Sequence, residues 1–473
     1  MLDLAILLQQ PFRKAGFGEQ AFHGQTTLHP MGLVAVIVLG LAVLSVPRKY
    51  AALPFVVMAC FISPAQRIII ATLDFNLLRL LVLAGWLRLA IRSEYTLLKW
   101  RKLDTLVIAW GVTSAIAYIM LRGTFGAFVF RAGQLYDIFG MYLFFRCIIQ
   151  GWVDVDRVVR FAALMALPMA VLFAMEKTTG RNPFSFLGGV PAFTIAREGR
   201  LRCQGPFPHA ILAGCFFSAW LPLVGAQHWR KRGKARTHLS IVAMIAIVIM
   251  CSSSTPLVGV MAGFLGAAGW TMRYKMQAVR WGTAATLFAL HMVMEAPVWH
   301  LISRISFSRG STSYHRYLLI ENSINHFGEW ALLGSLDTGH WGHAMYDLTN
   351  QYVREGVKGG FLALVFFVWA MWHAFVLVGR LWRTVKRDRY KRYFAWGIGV
   401  SLFAHGMMFL SIAITHSQQN MMVFFLLFAS VGSLAPTRKQ MAQLRRKRPL
   451  QPPPVAEETA LVPDFQVVGL RSS

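Results

Sequence analysis

Apolar residues occur along this chain in long runs that are separated by short polar or basic segments. A helix that crosses a lipid bilayer needs about 20 mostly apolar residues. The pattern predicts about 12–13 such helices. The windows are 31–46, 50–65, 76–91, 103–121, 127–149, 158–176, 208–226, 239–256, 257–272, 280–298, 359–379, 393–413 and 420–435. The predicted fold class is therefore an all-α polytopic membrane protein.

One long polar segment, 295–357, interrupts this pattern between two apolar windows. A connector between neighbouring helices needs only a few residues, so a segment of this length predicts a separate element. It is rich in histidine, arginine and aspartate, and long loops on a rigid scaffold commonly carry function. We expect one large extracytoplasmic loop domain here that contains the active site.

Composition and charge support this interpretation and set the expected orientation. Hydrophobic residues make up 56% of the 473 residues and charged residues 14%, which excludes an ordinary soluble protein. The formal net charge of +28 comes mainly from short basic segments and a basic tail. Cytoplasmic loops of membrane proteins carry such an excess of Lys and Arg. The charge therefore indicates topology and contact with the lipid bilayer, and we expect no nucleic acid partner.

The same reasoning divides the chain into segments. We expect an N-terminal segment at 1–30, membrane helices over 31–294 with an outer loop near 178–207, the large outer loop at 295–357, and further membrane helices over 358–435. A basic, proline-containing cytoplasmic tail, 436–473, is predicted to be disordered.

Charged residues inside the predicted helices are candidates for function. Arg131 and Asp137 lie in the window 127–149, and Arg79 lies in the window 76–91. An arginine at membrane depth costs a few kcal/mol and normally faces a polar cavity or a partner. The structural alternative for either arginine is an Arg–Asp pair that holds helices together, or a side chain that extends to the helix end.

Three arginines are close together in the outer segment near 178–207. Arg200 and Arg202 point the same way only if the chain is extended there, and Arg197 and His209 are nearby. Paired guanidinium groups suit a phosphate or diphosphate, which they bind through bidentate hydrogen bonds. Binding of outer-leaflet headgroups is the alternative.

Several segments, in order, resemble the superfamily of O-antigen ligases and O-antigen polymerases. They are REGRLRCQGPFPHAILAG, then CSSSTP, then HRYLLIENSINHF with Arg316, and finally HAMYDLTNQYVREGVKGG with Asn350 and Tyr352. The histidine that the family places just before the asparagine is missing, because Thr349 stands there. The resemblance therefore implies that His343 or Asp347 takes its role.

The resemblance implies an integral glycosyltransferase of the bacterial inner membrane. It would transfer or polymerise an oligosaccharide linked to a polyprenyl diphosphate, at the outer face, onto an acceptor glycan, with other polysaccharide-export proteins as possible partners. No metal and no other cofactor is expected, since arginines can neutralise the leaving diphosphate. The expected diphosphate-binding residues are Arg200, Arg202, Arg316, Arg131 and Arg309; the catalytic base is His343 or Asp347; and Arg197, His209, His340, Asn350 and Tyr352 are expected in support.

Three alternatives stay open. The missing histidine favours a polymerase over a ligase that acts on lipid A-core. A transporter or flippase for lipid-linked glycans would also explain many spans and an intramembrane arginine. A third alternative is a metal-dependent enzyme. If the segment were helical, one face of the helix would carry His340, His343 and Asp347, which could bind a metal ion.

Overall fold

The computed structural model describes residues 27–70, 73–304, 313–385, 388–436 and 440. These residues form sixteen α-helices and four short strands. The helices are α1 Pro30–Ser45, α2 Leu53–Phe61, α3 Leu77–Ile91, α4 Lys102–Arg122, α5 Phe125–Ile148, α6 Trp152–Thr179, α7 Ala210–Ala226, α8 Lys234–Met250, α9 Ser254–Ala268, α10 Met276–Val293, α11 Leu301–Arg304, α12 Ser313–Asn325, α13 Phe327–Trp330, α14 Gln351–Thr384, α15 Arg389–Met408 and α16 Gln418–Leu434. The all-α prediction is confirmed for this part of the chain.

Four helical segments of the described residues are long and apolar enough to cross a membrane. They are α4, α6, the segment Ala210–Trp229 that begins with α7, and α14. A fifth is possible if α10 and the helical segment Val298–Arg304, which are bent by 99° relative to each other, form one broken span. Helices α1, α9 and α16 are apolar but shorter. Each predicted apolar window nevertheless contains a helix, although α2 covers only nine residues of the window 50–65.

Helix α16 lies at the centre of the packing. Every residue from Gln418 to Gly432 is buried. Its first turn carries three buried amides that bind neighbouring elements: Gln418 donates to Asp137 at 3.0 Å, Gln419 to the carbonyl of Ala59 at 2.9 Å, and Asn420 to the carbonyl of Leu212 at 3.1 Å. A buried polar group costs free energy unless it is hydrogen-bonded, so these contacts fix the register of α16 against α2, α5 and α7.

Helix α14 is interrupted at Gly360, whose φ of 77° and ψ of 168° are not helical. A β-carbon at Gly360 would meet the carbonyl oxygen of Leu332. After this kink the Phe361 amide donates to the carbonyl of Ala331 at 2.8 Å, outside α14. The break therefore divides α14 into a short segment, Gln351–Gly359, and a long one, Phe361–Thr384.

Two short antiparallel hairpins complete the described fold. Strands β1 Arg67–Ile70 and β2 Leu73–Asn76 pair with each other, and β3 Ala196–Arg197 pairs with β4 Arg200–Leu201. The predicted outer loop 295–357 contains α11, α12 and α13, and its last residues, from Gln351, belong to α14.

Candidate active site

A cavity of about 530 Å³ lies where α4 ends and where α5 and α14 begin. Its charged and polar lining comes mainly from these three helices, and the chain just before α14 closes it on another side. The lining includes Ser114, Tyr118, Arg122, Arg131, Gln134, Asp137, Tyr346, Asp347, Arg354, Glu355, Lys358 and Thr415. The predicted site residues Arg131 and Asp347 are therefore brought together here.

Arg131 is buried on α5 and binds the end of the short segment of α14. Its Nη2 donates to the carbonyl of Lys358 at 2.6 Å, and its Nη1 donates to Gln134 at 2.6 Å and to Ser114 at 3.3 Å. The guanidinium lies 4.2 Å above the ring centre of Tyr118. The last carbonyls of a helix carry partial negative charge, which explains why a cation is stable at this break.

Asp137, one helical turn and a half further along α5, pairs with a different arginine. Arg79 donates from Nε and Nη2 to the two carboxylate oxygens of Asp137 at 2.8 and 2.7 Å. The structural alternative for Arg79, an Arg–Asp pair between helices, is thus observed. Arg131 has no carboxylate within 4.0 Å among the described residues, so its positive charge is not neutralised by an ion pair.

The short segment of α14 adds a half-buried arginine and a buried glutamate to the cavity. Arg354 donates from Nε to the hydroxyl of Thr415 at 3.1 Å and makes no ion pair with the described residues. The Glu355 carboxylate accepts from the indole of Trp110 at 2.6 Å and from Gln351 at 2.5 Å. Each carboxylate oxygen thus accepts one hydrogen bond, and these two contacts hold Glu355 in place beside Trp110 and Gln351.

Asp347 is the accessible carboxylate of the cavity. Its side chain is exposed to solvent at the cavity. The surrounding protein still raises the pKa of Asp347, because partial desolvation of the carboxylate outweighs the attraction of the nearby His315 and Arg354. The Nε2 of His315 lies 3.4 Å from the backbone carbonyl of Asp347. A carboxylate of raised pKa beside unpaired guanidinium groups can accept a proton while the cations bind an anion.

A second group of cations lies around the hairpin β3–β4. The chain is extended through Arg200, and the amide of Arg202 continues the hairpin by donating to the carbonyl of Ile195 at 2.9 Å. Arg197 and Arg200 are exposed, whereas the Nε of Arg202 is buried without a hydrogen-bond partner in the described part of the chain. Burial, and then the nearby Arg197, lower the pKa of Arg202.

Buried contacts hold this hairpin against the ends of two helices. The Glu176 carboxylate near the end of α6 accepts from the amides of Gln204 and Gly205 at 3.0 and 2.9 Å. Lys177 donates to the carbonyl of Leu201 at 2.7 Å. His209 is the N-cap of α7, and its Nδ1 accepts from the amide of Ile211 at 3.1 Å.

Helix α12 lies between the cavity and the start of α9. His315 contacts the backbone of Asp347, while the next residue, Arg316, is buried and donates to the hydroxyl of Thr255 at 2.9 Å. Thr255 belongs to the segment CSSSTP at the start of α9. Arg316 therefore does not line the cavity, and burial lowers its pKa.

The other predicted residues lie outside the cavity lining. His343 is exposed, and His340 contacts Glu329 at 2.9 Å. Asn350 is the N-cap of α14, and the Tyr352 hydroxyl donates to the carbonyl of Gly406 at 3.1 Å. Both therefore have structural partners. Arg309 lies outside the described residues.

The condition for the alternative metal site at His340, His343 and Asp347, a helical segment, is not met. Residues 339–341 form a single 3₁₀ turn, Gly342 has a φ of 142°, and Ala344 has a φ of 60°. The segment from His340 to Asp347 is therefore not a helix, and the three side chains do not share a helical face.

No protein-family model and no curated protein matches this chain.

Sequence reasoning missed Arg122, Arg354 and Lys358 as site residues. Arg354 and Lys358 are four residues apart at the start of a long apolar run, so they share one helical face beside membrane-facing residues. This spacing could have indicated that both cations face the same site. Arg122 carries no such signal, because an arginine at the end of an apolar helix is ordinary.

Proposed function

We propose that this protein is an integral membrane glycosyltransferase that polymerises an oligosaccharide linked to a polyprenyl diphosphate at the outer face of the bacterial inner membrane. The observation that carries the proposal is the cavity, in which Arg131 and Arg354 lack ion-pair partners among the described residues while Asp347 remains accessible. A site of unpaired guanidinium groups suits a di-anionic substrate group, because each offers several N–H donors in a fixed plane.

In the proposed reaction, the bond between the anomeric carbon and the diphosphate oxygen breaks. A new bond forms between that carbon and the acceptor hydroxyl oxygen. Asp347 accepts the hydroxyl proton and later releases it to solvent. Arg131, Arg354 and Lys358 stabilise the charge that develops on the leaving polyprenyl diphosphate, and no metal ion takes part in this step.

Two separate groups of arginines support a polymerase rather than a ligase. One group lines the cavity, and we propose a second group that combines Arg197, Arg200 and Arg202 at the hairpin β3–β4 with Arg316 of α12. A polymerase binds two diphosphate-linked glycans at once, a donor and an acceptor. We propose that each group binds one diphosphate, with α12 between them.

The finer topology belongs to the same proposal. About 12–13 spans, with 178–207 and 295–357 outside and the tail inside, are supported by the helix found in each apolar window and by the basic segments that separate them.

A transporter of lipid-linked glycans is the second candidate. Arg122, Arg131, Arg354 and Lys358 lie on three different helices rather than in loops. A transport pathway would also be lined by charges on several helices. Release of glycan from its diphosphate distinguishes the two functions, because transport leaves that bond intact.

The test uses purified protein in liposomes with a polyprenyl-diphosphate oligosaccharide. We expect longer lipid-linked glycans together with free polyprenyl diphosphate, and at least about 100-fold less product from Arg354→Ala, as for the loss of one transition-state donor. The control Arg304→Ala removes an exposed arginine that does not line the cavity. An intact substrate that only changes leaflet would favour the transporter. Equal product from Arg354→Ala and wild type would contradict the cavity as the active site.

A further inference from the structure

Three side chains in the outer loop form a group that the reaction does not use. The group consists of three potential ligand atoms that lie within 4.8 Å of one another: a ring nitrogen of His326, a carboxylate oxygen of Glu329 and a ring nitrogen of His340. The closest pair is Nε2 of His340 and Oε2 of Glu329, at 2.9 Å. None of the three lines the cavity.

Neighbouring groups hold two of these side chains in an orientation suited to a ligand. Nδ1 of His326 lies 2.9 Å from the carbonyl oxygen of Asn322, and a carbonyl can only accept. Nδ1 therefore carries the hydrogen, and Nε2 of the neutral ring has the free lone pair. The indole of Trp341 donates to Oε2 of Glu329 at 2.9 Å and stacks on the ring of His326 at 5.1 Å. Histidine ligands of metals commonly donate their second ring N–H to a backbone carbonyl in this way.

We propose that His326, Glu329 and His340 bind a divalent transition metal ion of the zinc class. Two imidazoles and one carboxylate are a ligand set that zinc uses, with bonds of about 2.0–2.2 Å. Such bonds require ligand atoms roughly 3–3.5 Å apart. The side chains of His340 and Glu329 are 54% and 42% exposed, so they are free to make the small rotation that closes this distance. Water fills the remaining coordination positions.

The ion connects two parts of the outer loop. His326 and Glu329 lie at α13, and His340 lies in the 3₁₀ turn Gly339–Trp341. On one side, Trp330 of α13 packs against Gly356 of α14. On the other, the Thr338 hydroxyl donates to the carbonyl of Met345 at 2.8 Å, two residues before Asp347. The metal therefore fixes the chain that carries Asp347 relative to the broken helix, and its role is structural.

The experiment measures metal binding directly, with protein purified in detergent through a tag that contains no histidine. After treatment with a chelator and its removal, we expect one Zn²⁺ per chain by equilibrium dialysis, and an increase in Tm with Zn²⁺ but not with Mg²⁺. His326→Ala, His340→Ala and Glu329→Gln should each weaken binding by at least about 10- to 100-fold, the loss found for even a second-shell partner. The control is His343→Ala, an exposed histidine outside the group, which should bind Zn²⁺ as wild type does.

Cobalt provides a measurement that needs no variant. Co²⁺ added to the metal-free wild-type protein should give visible absorption bands that Zn²⁺ abolishes at one equivalent. The absence of a site for Zn²⁺ in the wild type would overturn the proposal. So would Zn²⁺ binding of wild-type strength in a folded His326→Ala/His340→Ala double variant.

Discussion

At the scale of single residues, the partner of Arg131 decides what this side chain can do. Its two shortest hydrogen bonds, both 2.6 Å long, go to the neutral carbonyl of Lys358 and to the side-chain amide of Gln134, and neither goes to a carboxylate. A carbonyl at a helix end stabilises a cation through its partial charge, but it leaves the net charge of the guanidinium in place. The positive charge of Arg79 is instead neutralised by its ion pair with Asp137. Of Arg79 and Arg131, it is Arg131 whose charge is left to attract an anionic group.

Asp347 offers a prediction about pH. A general base acts only when ionised, so activity should fall as pH decreases through its pKa. Because the pKa of Asp347 is raised, this loss should occur above the ordinary aspartate value of about 3.9. Asp347→Asn should lower kcat by about 10²–10⁴-fold and remove the acid limb. Product formation measured from pH 4 to pH 8 tests both effects.

The matched control is Asp337→Asn in the same loop. Oδ1 of Asp337 accepts from the amides of Thr338 and Gly339 at 2.8 and 3.0 Å, and an asparagine oxygen can keep both contacts. This variant should retain the wild-type profile. A wild-type profile in Asp347→Asn would show that another group accepts the proton, or that none is needed.

His209 allows a structural role to be separated from a binding role. It accepts the N-cap hydrogen bond of α7, and removal of an N-cap costs about 1 kcal/mol of stability. We expect His209→Ala to lower the Tm and His209→Asn to keep it, since asparagine is a good N-cap. Thermal unfolding in detergent measures this. If His209→Asn also loses stability, the imidazole has a packing role beyond the cap.

At the scale of elements, the break in α14 builds one wall of the cavity, and Gly360 makes it possible. Gly360→Ala places a side chain at a φ of 77° and against the carbonyl of Leu332. A positive φ combined with an extended ψ costs of order 1–3 kcal/mol for a residue other than glycine. We therefore expect a clear decrease in Tm together with lost activity, because Lys358 and Arg131 meet at this break.

Gly379→Ala is the control within the same helix. Gly379 is helical, and a β-carbon there meets no atom within 4 Å. Alanine is a better helix former than glycine by about 1 kcal/mol, so this variant should be as stable as wild type or more stable. A Gly360→Ala protein with wild-type Tm and activity would mean that the break is not required.

The same elements show how far the sequence could predict the structure. Apolar runs locate helices because burial in lipid or protein requires them, and each window does contain a helix. The spacing of Arg200 and Arg202 says only that they would point the same way in an extended chain, and the extended conformation at Arg200 comes from the pairing of β3 with β4. The conformation of the segment from His340 to Asp347 could not be predicted in this way. The spacing of its side chains would also fit a helix, whereas Gly339 and Gly342 permit turns there. The pairing of Asp137 with Arg79 rather than with Arg131 depends on how α3 packs against α5, which no local pattern specifies.

At the scale of the whole molecule, the basic segments and the cavity lie at opposite ends of the same helices. Helix α4 begins at Lys102, next to the basic segment 92–102, and ends at Arg122 in the cavity lining. Helix α14 begins beside the cavity and ends near the basic segment 380–392. If the positive-inside rule holds, the cavity end is outside. A substrate whose lipid lies in the outer leaflet would then reach the cavity without crossing the membrane.

Labelling of single introduced cysteines tests this orientation. All five native cysteines are buried, so they should react slowly with an impermeant maleimide in intact cells or sealed spheroplasts. Ala192→Cys, exposed just before the hairpin β3–β4, should be labelled from outside. Arg232→Cys, exposed between α7 and α8, should be labelled only after the membrane is permeabilised. Permeabilised samples of both variants control for expression and accessibility. The reverse pattern would place the cavity in the cytoplasm, where the proposed transfer at the outer face could not take place.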